Sequence, residues 1–184
     1  MPALDLSREL TVAAAAARAA GEIQMGLYER LDGVDFKGEK DVVTEADHRS
    51  EAAILERLAA AFPDDAFLAE ESGGSFEGAE RLWVIDPLDG TVNYANGIPF
   101  FCVSIGLCIE SEPVLGVVFD PTRDELFSAV RGGGAYLDDT RIRQPADKRM
   151  GDHVVSLGLP SSGFGRQYRC PSRRFACRPH KCSL

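Results

Sequence analysis

Leu82-Trp83-Val84-Ile85-Asp86-Pro87-Leu88-Asp89-Gly90-Thr91 opens with four apolar residues and runs directly into two acids, a proline and a glycine. The apolar part predicts a buried strand. That strand delivers Asp86 to its end, and Pro87 holds Asp86 extended because the proline ring clashes with a helical conformation there. Asp89 follows three residues later, on a turn that Gly90 can take through unusual backbone angles. Two carboxylates so placed can converge on one hard cation, with the Leu88 carbonyl as a third oxygen. Thr91-Val92-Asn93-Tyr94 can then open a short helix whose first amides, at Gly90 and Thr91, would form an anion site beside the cation. The plain alternative is an ordinary strand-end turn, since Asp, Pro and Gly are all favoured in turns.

Reading outward toward the C-terminus, Phe101, Val103, Ile105, Leu107 and Ile109 alternate with the smaller Cys102, Ser104, Gly106 and Cys108. A period of two predicts a strand with one bulky face and one suited to close packing. Val114 to Phe119 and Glu125 to Val130 read as two more strands, joined by the turn Asp120-Pro121-Thr122-Arg123-Asp124, and Ala135 to Leu137 as another after Gly132-Gly133-Gly134. Toward the N-terminus, Leu6, Leu10, Ala13, Ala17, Ala20 and Leu27 keep helical spacing in a run ending near Gly33. A second helix is expected from Thr44, with Ile54, Leu55, Leu58 and Phe62 as its stripe and Pro63 as its stop. Ala66 to Ala69 is a short strand ending in Glu70-Glu71. Short connections between consecutive strands imply antiparallel pairing. The expected class is therefore α+β, two N-terminal helices packed on a largely antiparallel sheet.

Glu70-Glu71 thus lies at a strand end and can face the same cleft as Asp86 and Asp89, although adjacent acids are more often a solvated loop. Three or four carboxylates around one cleft would hold two divalent cations, as phosphoryl hydrolysis often requires. Thr44-Glu45-Ala46-Asp47 reads first as a helix start, with Thr44 as N-cap and Asp47 three residues on. Its functional reading makes Asp47 a base that, with Thr91, orients and deprotonates an attacking water. Lys37 and Lys40 can balance phosphate charge.

Composition sets the outer limits. The chain has 184 residues, 45% hydrophobic and 27% charged, which suits one hydrophobic core. Twenty basic against 29 acidic residues leave a net charge of −9, which argues against non-specific nucleic-acid binding. The apolar run Val12–Ala17 closes at Arg18, far short of a membrane span, and Asp5 and Glu9 sit where an export signal would be positive. A cytoplasmic setting with no membrane partner is expected. Cys102 and Cys108 share a strand face roughly 20 Å apart, too far to bridge. The last acid is Asp152; residues 1–152 carry 14 basic and 29 acidic side chains, net −15, and the remaining 32 residues carry six basic ones. We therefore divide the chain into a domain over residues 1–160 and a basic, Cys- and Arg-rich tail over 161–184, with the break in composition that a shifted frame or a natural disordered tail produces. A zinc site from Cys170, Cys177, His180 and Cys182 would fit no standard spacing.

Taken in order, Lys37, Asp41-Val42-Val43-Thr44-Glu45-Ala46-Asp47, Ala69-Glu70-Glu71-Ser72, Trp83 to Tyr94 and Ile98 to Gly106 resemble the inositol monophosphatase family of magnesium-dependent, lithium-sensitive phosphatases. The likeness covers about residues 5–160. It implies the first half of a layered α/β sandwich and a phosphomonoesterase acting on inositol monophosphate or a related polyol phosphate. By the same resemblance Glu70, Asp86 and the Leu88 carbonyl would bind one Mg²⁺, Asp86 with Asp89 a second, and Glu70 would help hold a third. Gly90 and Thr91 would cradle the phosphate, Asp47 and Thr91 would activate water, Li⁺ would inhibit, and a homodimer is implied. Bisphosphate nucleotidases, fructose-1,6-bisphosphatases and histidinol phosphatases also resemble this half and are the alternatives. The family continues into a second half with a Trp-Asp-x-Ala-Ala-Gly-type motif, whose Asp completes the second metal site. Val154 to Pro160 resembles the start of that half, and nothing after His153 matches the motif. The resemblance then implies a shortened chain without that ligand, with the far face of its sheet exposed, and an inactive form that only binds metal or a partner is the alternative.

Overall fold

A computed structural model describes residues 5–28, 39–74 and 76–143, with backbone alone for 39–44. Helix α1 spans Ser7–Tyr28 and α2 spans Glu39–Ala61. The strands are β1 Ala66–Ala69, β2 Arg81–Asp89, β3 Cys102–Ile109, β4 Glu112–Asp120, β5 Glu125–Val130, β6 Gly134–Leu137 and β7 Thr140–Ile142, and a short helix, α3, covers Thr91–Ala95 between β2 and β3. They form one sheet in sequence order, and both long helices lie on the same side of it, α1 over β3 and β4, α2 over β2. The class is α+β. Lys37, Val154–Pro160, the tail and its Cys and His residues lie outside the described residues.

The helix-facing side of the sheet is built from alternate residues. Trp83, Ile85, Val103, Ile105, Leu107 and Val117 are buried there, beneath Ala13, Ala16, Ala17 and Ala20 of α1 and Ile54 and Leu58 of α2. Burying a side chain of this size contributes roughly 1.5–3 kcal/mol. The alanine stripe brings α1 close to the sheet. At Gly21 a Cβ would lie 2.5 Å from the Phe119 ring, so the contact needs a residue with no side chain. At the start of β2, Arg81 pairs with Asp65 at 2.8 Å and Glu9 at 2.9 Å, and the Trp83 indole N–H donates to Asp65 at 2.8 Å. One strand is thereby pinned to α1 and to the turn before β1.

Three expectations change. First, α2 begins at Glu39, so Thr44 lies inside the helix and is not its N-cap. A β-branched residue costs only a few tenths of a kcal/mol in a helix interior, so Val42-Val43-Thr44 does not by itself stop a helix. Second, β1 pairs with β2 in parallel, Ala66 with Leu82 through Ala69 with Ile85, while every other neighbouring pair is antiparallel. The 70–80 connection returns the chain to the starting end of β1, which a tight hairpin cannot do. Third, β2 does not stop at Ile85 but runs through Pro87 to Asp89, with a bulge, and β7 adds an edge strand that no sequence pattern announced.

Among the described residues the far face of the sheet is the more exposed one. Val84, Val118 and Phe127 are 41%, 37% and 36% exposed. Gly106 faces Val84 on one neighbour and Gly116 on the other, leaving the middle of that face low.

Candidate active site

Two features of strand pairing gather the acids. In the parallel β1–β2 pair, Ala69 stands opposite Ile85 and the Glu70 N–H donates to the Ile85 carbonyl at 3.1 Å, so Glu70 comes out beside Asp86. In the β2–β3 pair, Asp86 faces Ser104 and Asp89 faces Cys102, three steps on one strand against two on the other. In a regular strand, residues three apart point to opposite faces. The extra residue at Pro87–Leu88 resets that alternation and brings Asp86 and Asp89 to one face. Proline suits the bulge because it has no N–H to give the ladder.

A second, smaller core supports this end. Leu88 and Tyr94 pack with Phe101, with Leu27 and with Ala46, the neighbour of Asp47. The rings of Tyr28, Tyr94 and Phe101 meet pairwise at centroid distances of 4.9–5.3 Å. With its side chain buried in this cluster, Leu88 presents a carbonyl of fixed direction, to which the Thr91 hydroxyl donates at 3.0 Å. The Leu88 N–H in turn donates to Asp86 Oδ1 at 3.2 Å. Gly90 caps α3 at φ 99°, and a Cβ there would lie 3.0 Å from the Phe100 carbonyl and 3.2 Å from Phe101 Cα. Both backbone angle and space demand glycine.

The acids repel one another. Burial, with the charges of Glu71 and Glu70, pushes the Asp47 carboxyl up to about 7. Burial again, then Glu70 and Asp89, pushes Asp86 up to about 7, with Glu70 within hydrogen-bonding reach of it. Asp89 is exposed and lies 3.9 Å from Cys102 Sγ. Burial and the neighbouring Asp89 push that thiol up to about 12, so it stays protonated. A hollow of about 490 Å³ on the open face is rimmed by Glu70 and Asp86, with Leu68, Val84, Ser104 and Gly106 along it.

Glu70, Asp86, Asp89 and the Leu88 carbonyl are oxygen donors of the kind that a hard divalent cation takes. Among the described residues no three His, Cys, Asp or Glu side chains are gathered closely enough to hold a metal ion between them. Glu71 is exposed on the same turn, and Lys40 lies in the first turn of α2.

Three buried polar residues escaped the sequence reading, Gln24, Ser50 and Glu51, and two of them bond to the site's own backbone. Gln24, fully buried, donates from Nε2 to the Pro87 carbonyl at 2.5 Å, while its own backbone carbonyl accepts the Tyr94 hydroxyl at 2.7 Å. Its signal was present: the α1 stripe passes from Ala20 to Leu27 through a polar residue at the intervening turn. Glu51 is 4% exposed and accepts the Glu71 and Ser72 N–H groups at 2.9 and 3.0 Å. It falls four residues after Asp47 and three before Ile54, on the buried side of α2.

Comparison with known proteins agrees with this architecture. The family model described as "Inositol monophosphatase family" matches residues 5–162. Over 155 residues the chain is 41% identical to the Nus factor SuhB of Haemophilus influenzae, covering 82% of this chain and 58% of that protein. Over 150 residues it is 44% identical to inositol monophosphatase 2 of Solanum lycopersicum, covering 79% and 57%. The solved inositol monophosphatase of Anabaena superposes with a TM-score of 0.68 at 42% identity, over 78% of this chain and 52% of that one. The chain spans a little over half the length of these relatives. It belongs to the inositol monophosphatase family.

Proposed function

We propose that this chain carries the catalytic half-site of a magnesium-dependent phosphomonoesterase acting on inositol monophosphate or a related polyol phosphate. The observation that carries the reading is the convergence of Glu70, Asp86 and Asp89 on one sheet end through the parallel β1–β2 register and the β2 bulge. Glu70, Asp86 and the Leu88 carbonyl would hold one Mg²⁺, Asp86 with Asp89 a second, and Glu70 would help with a third. Bound there, Mg²⁺ supplies Lewis-acid stabilisation of the phosphoryl group and of the leaving alkoxide, and Li⁺ inhibits by competing for such a position.

The chain's own groups divide the remaining work. The Thr91 hydroxyl has one proton, and that proton is donated to the Leu88 carbonyl. Toward a water molecule Thr91 therefore acts as an acceptor. Asp47, once ionised, accepts as well. Two acceptors engaging the two protons of one water turn its lone pair toward phosphorus, and Asp47 takes the proton as the P–O bond forms. The Gly90 and Thr91 amides would receive the phosphate oxygens, and the expected role of Lys37 is to offset their charge.

The substrate stays a class. One relative, from Aquifex aeolicus, is named for both fructose-1,6-bisphosphatase and inositol-1-monophosphatase, so sugar bisphosphates belong on the same panel. A second reading is favoured by the Nus-factor name of the Haemophilus relative: a family member that binds metal or a protein partner without turnover. The acidic composition argues against direct nucleic-acid contact. No described helix is long and apolar enough to cross a membrane. We place the protein in the cytoplasm, with its homodimer a further proposal.

The deciding assay is phosphate release from inositol 1-phosphate by the 184-residue chain, beside Asp86→Asn. Release that requires Mg²⁺, falls with Li⁺ and disappears in the variant is the expected result. Mg²⁺ binding by calorimetry with no release selects the second reading, and neither binding nor release overturns the phosphatase reading and the metal-binding form of the second.

A further inference from the structure

We infer that Glu51 is a positioning residue, clamping the acidic turn after β1 to α2 so that Glu70 keeps its place relative to Asp47. The inference rests on the metal-dependent reading above and extends it to a residue outside the ligand set.

Glu51 is almost wholly removed from water, where an ionised carboxylate needs hydrogen-bond donors to be tolerated. Its two oxygens take one donor each: Oε2 accepts the Glu71 N–H at 2.9 Å and Oε1 accepts the Ser72 N–H at 3.0 Å. Bonds from two successive amides to the two arms of one carboxylate fix both the distance and the tilt of the turn. Charge-assisted bonds of this kind are roughly twice as strong as neutral ones. The turn is held on its other side too, because the Glu70 N–H donates to the Ile85 carbonyl and Ala69 and Gly73 exchange two bonds at 3.1 and 3.0 Å. Glu70 is thus caught between β2 and α2, with only its side-chain torsions free.

The helix end of the clamp matters as much. Asp47 and Glu51 are four residues apart, so they lie one above the other on the same helix face. Any rotation or slide of α2 that carried Asp47 away would pull the 70–72 backbone with it. Both Glu51 oxygens are engaged by main-chain amides of the turn, which is where its bonds are directed.

The test uses the full chain with Glu51→Gln, Glu51→Ala and, as a control on the exposed side of α2, Glu56→Gln. Two readouts are taken: hydrogen exchange at the Glu71 and Ser72 amides without metal, and Mg²⁺ affinity by calorimetry. Glutamine offers one acceptor oxygen where glutamate offers two. Exchange at 71–72 should therefore rise selectively in Glu51→Gln, with Ile54 and Leu58 amides still protected, and further in Glu51→Ala. Mg²⁺ affinity should fall roughly tenfold or more in the same order, the size typical when a group supporting a ligand is lost. If Glu51→Gln unfolds α2, Glu51→Asp decides the matter, since it keeps charge and both oxygens but falls one methylene short. Unchanged exchange at 71–72 overturns the clamp. Faster exchange with unchanged Mg²⁺ affinity overturns the service to a ligand. A wild-type chain that takes up no Mg²⁺ overturns the metal reading and that service with it, while the exchange result still decides the clamp by itself.

Discussion

Along β2, Trp83 and Ile85 are buried under the helices, whereas Val84 between them is 41% exposed and Asp86 continues on its side. The same division runs across β3 and β4: Ile105 and Val117 pair on the covered face, Ser104 and Val118 on the open one. Alternate residues of one backbone therefore serve different ends. The covered face supplies the burial that holds the sheet, and the open face carries Asp86 and, beside it, Glu70 at its rim. A change on one face should leave the work of the other largely intact.

The largest test of that division is a paired truncation. Leu107→Ala, at a fully buried position, should cost about 2–5 kcal/mol in a urea denaturation. Val118→Ala on the open face should stay within roughly 1 kcal/mol. Equal losses would show that both faces are covered and would remove the comparison. Next in size is Gly90→Ala, which meets both a left-handed backbone and the Phe100 carbonyl. We expect about 1–3 kcal/mol of destabilisation, and an unshifted midpoint would mean that the β2–α3 junction is looser than drawn.

Smaller is a pH effect confined to the acid-bearing end. Asp47 and Asp86 are raised from the ordinary carboxylate value of 3.8 to about 7. Between those values the folded chain holds protons that the unfolded chain has released, so stability falls as pH rises from about 4 to about 7 and levels off above. Metal-free melts at pH 5 should lie above those at pH 8. Saturating Mg²⁺ should flatten the difference, and Asp86→Asn should reduce it. A metal-free melt that rises with pH across the window would contradict the crowding of these carboxylates. The smallest effect sharpens the open face: Val84→Thr with Val118→Thr should alter stability by about 0.5 kcal/mol or less. Self-association in light scattering should drop, because less contiguous apolar surface meets water.

Much of this molecule is local in origin. The alternation from Phe101 to Ile109 predicts β3 and its buried face, and Ile54, Leu58 and Phe62 predict the covered side of α2. Gly90 is announced by its place after Asp89, because a residue that must turn sharply carries its requirement in its own missing side chain. Pairing and register are not local. Whether β1 runs with or against β2 depends on where an eleven-residue connection returns, and that choice puts Glu70 next to Asp86. The bulge that turns Asp89 to the side of Asp86 exists only against β3. Val42-Val43-Thr44 lies inside α2 because the propensity against a helix there is weak. Gln24 and Glu51 stand in otherwise apolar stripes, and their partners, the Pro87 carbonyl and the Glu71 and Ser72 amides, lie far along the chain. Sequence by itself determined which residues face a core and which acids follow an apolar run, since both follow from the pattern of one segment. Tertiary structure alone decided which acids meet, since that depends on hydrogen bonds between segments whose register no single segment contains.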